Sequence, residues 1–265
     1  RPFDIRDVGV MQRLSTQARP LATQMVVVGG VSPLRDAMRA YVAAGRDPLV
    51  CLVERDNEHD VDAFGFMQIL PDESSAEVAR QRGAALLLAA PVPHTEAQVQ
   101  AWLYLVHELA VSAAERGAHH IVADVHEGGI EHKILQSAGF VPLMQQDLMK
   151  LAGQLPAEAH DERAPGLREA TKDDEPLIRA LHMRSAPKMT YQAECSLDAL
   201  LNLMRVHKGW VLLHHNEVIG HIGFWHGRRG RAMRCLFRPE AEEHAAAVLG
   251  HVLSRDNYRR ATYCS

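Results

Sequence analysis

The stretch from Ala84 to Leu151 constrains this chain more than any other, because it switches between two hydrophobic periods with short connections. It opens with an uncharged apolar run, Ala84 to Ala90, halted by Pro91 and Pro93. Thr95 stands next as a helix N-cap. Val99, Trp102, Leu103, Val106, Leu109, Ala110 and Ala113 then recur at intervals of three and four, which predicts a helix carrying all seven on one face. Arg116-Gly117 closes it with a cation in the last turn and a glycine just beyond. A second apolar run, Ile121 to Val125, leads to a short helix from about Ile130 to Ala138; Gly139 stops it, and a third run starts at Phe140. Strand, helix, strand, helix, strand with such short links implies crossovers and a parallel or mixed sheet.

At 265 residues the chain suits two domains of roughly 100 to 150 residues. The segment AGQLPAEAHDERAPG after Leu151 is small, charged and proline-bearing, as an exposed linker needs. The reading is therefore a first domain at 1–151, a linker at 152–166 and a second domain at 167–265. After the linker the sequence starts over. Leu167-Arg168-Glu169-Ala170 echoes Ile5-Arg6-Asp7-Val8, and T-K-D-D-E-P-L-I-R-A-L opens a capped helix. Leu49–Glu54 and Ala63–Leu70 form a predicted hairpin around the polar tip RDNEHDVD, repeated by Gly209–His215 and Val218–Trp225 around the turn Asn216-Glu217. Gly223-Phe224 stands in the place of Gly65-Phe66. Ala232–Phe237 followed by Pro239 repeats the strand that halts at proline, and Glu240–Ser254 repeats the long helix through Ala241, Ala245, Val248, Leu249 and Val252. An internal duplication accounts for nearly the whole chain.

The rest of the first half reads as a strand at Phe3–Asp7, a helix beginning at Val10–Leu14, and a second helix capped by Ser32 with Pro33 at N1. That second helix places Leu34, Met38, Tyr41 and Val42 on one face and stops at Gly45. Met25–Gly30 lacks G-x-G-x-x-G spacing and reads as a buried segment, and Pro71–Gly83 as a charged loop or surface helix.

The net charge of −4 supplies no basic field for nucleic acid. Cys51, Cys195, Cys235 and Cys264 lie too far apart for a zinc knuckle or disulfide framework, which fits a reducing cytoplasm. No apolar run reaches 18 residues, so no membrane role is expected. Sixteen histidines invite a metal reading, but His119-His120 and His214-His215 alternate faces on a strand, and no H-E-x-x-H occurs. No metal is expected.

The order of these pieces resembles the GCN5-related N-acetyltransferase (GNAT) family. The residues that carry it are Val92-Pro93, the helix from Thr95, the turn Arg116-Gly117-Ala118, the strand HHIVADV and the run Lys133 to Phe140 ending in G-F. The resemblance implies two tandem α/β (α+β) domains, each a mixed, mostly antiparallel sheet flanked by helices, with the second incomplete after its fifth strand, Arg260 to Cys264. That bare edge implies a longer natural chain or cover by another subunit, such as a homodimer.

The resemblance also implies acetyl-CoA as donor and a primary amine of a small molecule or peptide as acceptor. It places the pantetheine arm along Leu88, Ala89 and Ala90, beside Val92, and the pyrophosphate at Glu96, Ala97, Gln98 and Val99. An anion there would use unpaired helix-start amides and the helix dipole. The family's glycine-bearing loop is absent from both HTEAQVQA and PEAEEHAA, and the glutamates repel a diphosphate. Leu135 stands where many members of the family have a tyrosine that serves as the acid for the leaving thiolate. Tyr104, His126 and His132 in the first copy, and His182, Tyr191, His221 and Cys235 in the second, are substitutes that no spacing rule ranks, so the catalytic residues stay unknown. Two functions remain open: an N-acetyltransferase, or a catalytically degenerate module that binds a ligand or partner.

Overall fold

A computed structural model describes residues 1–22, 31–43, 47–56, 61–70, 83–145, 147, 149–151, 165–185, 207–226, 231–255 and 262–264. The expected segment at Met25–Gly30, the loop at 71–82, most of the linker, the centre of the RDNEHDVD tip, Tyr191 and Cys195 lie outside them. Contacts divide the described residues into two units, one up to Pro142 and one from Leu143 onward.

The first unit is built on β2 (Leu49–Asp56), β3 (Val61–Ile69) and β4 (Gly83–Ala90), an antiparallel meander. All eight β4 residues are buried, which explains a run with no polar alternation. Helix α3 (Glu96–Glu115) packs on β2 and β3, and its buried stripe is Ala101, Trp102, Leu105, Val106, Leu109 and Ala113. The expected face is thus rotated: Ala101 and Leu105 join it, while Val99 and Leu103 are only partly buried. Gly117 has φ +80°, and the bonds from Ala118 N–H to Ala113 O and from Gly117 N–H to Ala114 O close the helix in a Schellman motif. β5 (His120–Val122) pairs with β4 in parallel, and α4 (Ile130–Ser137) ends in a second such motif, with Gly139 at φ +92°. The glycine of the G-F pair is therefore a helix terminator, and Phe140 packs on the core cluster.

Three expectations for this unit are corrected. Phe3–Asp7 is not a strand: only Pro2 bridges to Leu52, and Ile5–Asp7 is a 3-10 turn leading into α1 (Val8–Leu14). A reciprocal capping box of Asp4 and Asp7 bends the chain there. In α2 (Pro33–Val42), Tyr41 and Val42 are exposed and Ala37 is the buried residue; Ser32 makes no side-chain cap, its N–H donating instead to Asp36 Oδ2. The run from Phe140 begins no strand. The next one is β6 (Met149–Leu151), and it belongs to the other sheet.

The second unit holds a six-stranded sheet in the order β6, β11 (Thr262–Cys264), β10 (Arg231–Phe237), β9 (Glu217–His226), β8 (His207–His214), β7 (Leu167–Glu169). β8 and β9 join through His215 and Asn216, both with positive φ, so the turn sits one residue earlier than read and has the twist a two-residue hairpin favours. Helix α5 (Glu175–Ser185) packs against β9, with Leu181 buried beside Val211 and Val218. Helix α6 (Glu242–Arg255), preceded by a 3-10 turn at Pro239–Ala241, places Val248, Val252 and Leu253 with Trp210, Phe224 and Met233. The edge of β11 expected to be bare is paired antiparallel to β6.

The two units repeat each other in a register the sequence obscured. Arg1 grips Asp7 with two hydrogen bonds, and Arg168 grips Asp174 in the same way at the same spacing. Each aspartate closes a capping box. The counterpart of Arg168 is thus Arg1 and not Arg6, whose side chain is almost fully exposed. Each unit is a mixed, mostly antiparallel sheet flanked by helices.

Candidate functional site

The feature common to both units is a long strand with a short parallel partner at its start, and in the first unit the two part in a fork. β4 and β5 run parallel only from Gly83↔His120 to Ala85↔Val122, after which β5 ends and β4 continues to Ala90. In the second unit β10 and β11 are parallel from Arg231↔Thr262 to Met233↔Cys264, while β10 stays paired with β9 as far as Phe237↔Gly220. A long helix follows the extended strand in each case.

In the first fork, Leu88, Ala89 and Ala90 are buried, and the chain fills the gap itself. Strand β1 (Arg19–Pro20) lies antiparallel to β4, with Arg19 opposite Ala89 and Pro20 opposite Leu88. Leu21 N–H donates to Leu87 O at 2.8 Å, and Asp124 N–H donates to Leu21 O at 2.7 Å. The segment therefore bridges β4 to the chain just past β5. Leu21 is 1% exposed and belongs to the cluster around Trp102. Arg19 Nε stands 3.2 Å from Glu131 on α4. Sequence reasoning missed this strand because two residues, one of them proline, carry no period.

Val92 to Val99 is equally occupied. Thr95 Oγ1 accepts from Gln98 N–H, and Gln98 Oε1 accepts from His94 N–H at 2.7 Å and Thr95 N–H at 3.2 Å. Three amides that an anion could use are thus satisfied by a capping box. Glu96 is exposed in the first turn, Ala97, Gln98 and Val99 are half-buried, and Trp102 Nε1 ties the helix to the preceding loop through Pro91 O at 2.7 Å. The second unit has Glu240, Glu242 and Glu243 with Pro239 around a surface depression at the start of α6. Arg238, beside it, shares Glu217 with Arg184. Carboxylates stabilise these helix starts and repel a diphosphate.

The candidate acid and base groups separate. Tyr104 is 64% exposed on the outer side of α3, and Leu135 is buried in the core. His126 is exposed with Nδ1 2.9 Å from Glu127 O, while His132 Nδ1 accepts from Gly128 N–H at 3.0 Å and so stabilises a turn. In the second unit, His182 on α5 and His221 on β9 come together with ring centroids 6.2 Å apart. Gly209 and Gly223, opposite each other across β8 and β9, leave room for the His221 ring: a Cβ on either would meet it at 3.3 Å. Cys235 packs with the opposite, α6-facing cluster. Cys51 is buried, and that burial pushes its thiol well above the ordinary range, so it is no nucleophile. Among the described residues no three His, Cys, Asp or Glu side chains gather as metal ligands, and no helix is long and apolar enough to cross a membrane.

No family model matches the chain, and no curated protein matches it. Among solved structures, a GCN5-related N-acetyltransferase from Sphaerobacter thermophilus is similar at 15% identity and TM-score 0.49, covering 100% of this chain and 84% of that one. A tandem GNAT protein from the clavulanic acid biosynthesis pathway has 15% identity and TM-score 0.45, covering 99% and 88%. Glucosamine-6-phosphate N-acetyltransferase from Arabidopsis thaliana has 17% identity and TM-score 0.37, covering 56% of this chain and 93% of its own.

Proposed function

We propose that the chain is an acyltransferase that takes acetyl-CoA and transfers the acetyl group to a primary amine of a small molecule or peptide. The observation that carries this reading is a layout built twice, a long strand that takes a short parallel partner over its first residues and then leads into a helix, with the partner parting from it in the first unit. Beyond the parting point β4 has an edge that β5 does not use and that β1 covers only over a two-residue ladder, and the two amides of a pantetheine arm suit such an edge. Attack on the thioester by the amine then needs a base that removes the ammonium proton and a donor for the departing thiolate. His182 and His221 are the pair in the second unit that suits proton transfer.

A second reading holds for the first unit alone, and β1 favours it. With Leu88 and Ala89 paired to the chain itself, and the amides of His94, Thr95 and Gln98 capped, this unit serves as a binding or scaffolding module while the second carries any chemistry.

Incubation of the full chain with acetyl-CoA and a panel of amines and short peptides, followed by thiol release, tests the main reading. Amine-dependent release, lost in a His221→Ala chain, is expected. Thermal shift with CoA should accompany it, a ligand at 100 times its Kd adding about 2.7 kcal/mol. No release with any amine and no shift with CoA would leave only the binding-module reading.

A further inference from the structure

We infer that β1 is a displaceable strap across the first fork, competing with the acyl donor for the backbone edge of β4. The inference rests on the acyltransferase reading and adds how its first site is governed. The strap occupies the stretch of β4 beyond its pairing with β5: Arg19 and Pro20 stand opposite Ala89 and Leu88, and Leu21 takes Leu87 O and receives Asp124 N–H. A pantetheine arm entering the fork would need that same edge, so strap and donor exclude one another.

Its construction is that of a fastening rather than of a core strand. The ladder is two residues long, and one of them is a proline with no N–H to donate. One large side chain, Leu21, anchors it in the core, with Ala22 buried beside it. The third attachment is the pair from Arg19, half-exposed, to Glu131, the kind of contact that salt weakens. Release of the strap costs these few bonds and leaves β3 and β5, the other partners of β4, in place. A donor that binds only the open fork shows an apparent Kd raised by the inverse of the open fraction; a fork open in one molecule in a hundred weakens binding about 100-fold.

The test uses the full chain, CoA as probe, and the double substitution Arg19→Glu with Leu21→Ser, which sets a carboxylate against Glu131 and removes the anchor without touching β4 or β5. Calorimetry should show the altered chain binding CoA about 100-fold more tightly at one site than the unaltered chain. An independent measurement needs no variant: at saturating CoA, the Leu21 and Asp124 amides of the unaltered chain should exchange faster with solvent, because their bonds are the ones broken. CoA binding that leaves both amides as protected as before overturns the strap, and if protection then rises around β10 the acyltransferase reading stands on the second unit. A folded double variant with unchanged affinity and stoichiometry also overturns it. If neither chain binds CoA at millimolar concentration, the acyltransferase reading fails and the strap with it.

Discussion

At Gly65 the absence of a side chain decides how closely α3 approaches the sheet. A Cβ there would stand 3.0 Å from Leu105 Cδ2 and 3.1 Å from Leu109 Cδ1. Those leucines are buried and have little space to retreat. Gly65→Val should cost about 3 kcal/mol in denaturant unfolding, the upper range for overpacking a core; a loss under 1 kcal/mol would mean that α3 shifts freely. Thr95 poses the opposite case, a polar residue whose value is local. Thr95→Ala removes the acceptor for Gln98 N–H and should cost about 1 kcal/mol. It also breaks the reciprocal box that occupies the helix-start amides, so CoA affinity in the double variant of the strap should rise with Thr95→Ala even as stability falls, a split that calorimetry and unfolding together can read.

Elements were legible wherever a period ran long enough. The helix from Thr95, the strand stopped at Pro91 and both hairpins follow from spacing, caps and turn residues. β5 was legible in the run from Ile121 though it ends sooner, at Val122, whereas the shortest strands off that pattern were not, because β1 and β6 have two and three residues and no alternation can be read from so few. Their positions come from pairing partners far along the chain, and those partners decide the site: β1 fills the first fork, and β6 pairs with β11. The repeat was legible as a fact and misread in register, since Arg6 and Arg168 look alike in sequence while the aspartate each unit grips singles out Arg1 and Arg168. The pairing of β6 with β11 gives a test at this scale. Lys150 stands opposite Tyr263, and Lys150→Pro removes a backbone donor and stiffens a three-residue strand. The unaltered chain should be protected from amide exchange at 262–264, and the variant should lose that protection and self-associate in light scattering as the edge of β11 is exposed. Unchanged exchange at those residues would show that β6 contributes nothing to the edge.

At the scale of the whole molecule, among the described residues a buried carboxylate in each unit, Asp7 and Asp174, ties stability to acid. Burial pushes the Asp7 carboxyl up, but hydrogen bonds from Arg1 and the Asp4 amide, with the charges of Arg1 and Arg55, outweigh it and hold the group below its ordinary value. For Asp174 the hydrogen bonds from Arg168 dominate, joined by those from Thr171, and hold it far below the ordinary carboxylate range despite burial. A carboxylate whose folded value is depressed binds its proton more readily when unfolded, so its contribution is complete above the unfolded value of about 4 and is lost as pH falls from there toward the folded one. Stability measured by urea unfolding should therefore hold level from pH 7 to about 5 with respect to these groups and drop below pH 4. Arg168→Met separates the two sites. It leaves Asp174 buried without its cation, which should destabilise the second unit by about 2 kcal/mol at pH 7, toward the middle of the range for a hydrogen bond to a charged group because Arg168 is itself 40% exposed. The same variant should lose less stability than the unaltered chain between pH 5 and 3, since the carboxylate no longer gains from staying ionised. Tryptophan fluorescence reports the second unit through Trp210 and Trp225, and Trp102 reports the first. Parallel acid curves for the variant and the unaltered chain would show that Arg168 does not set the Asp174 titration.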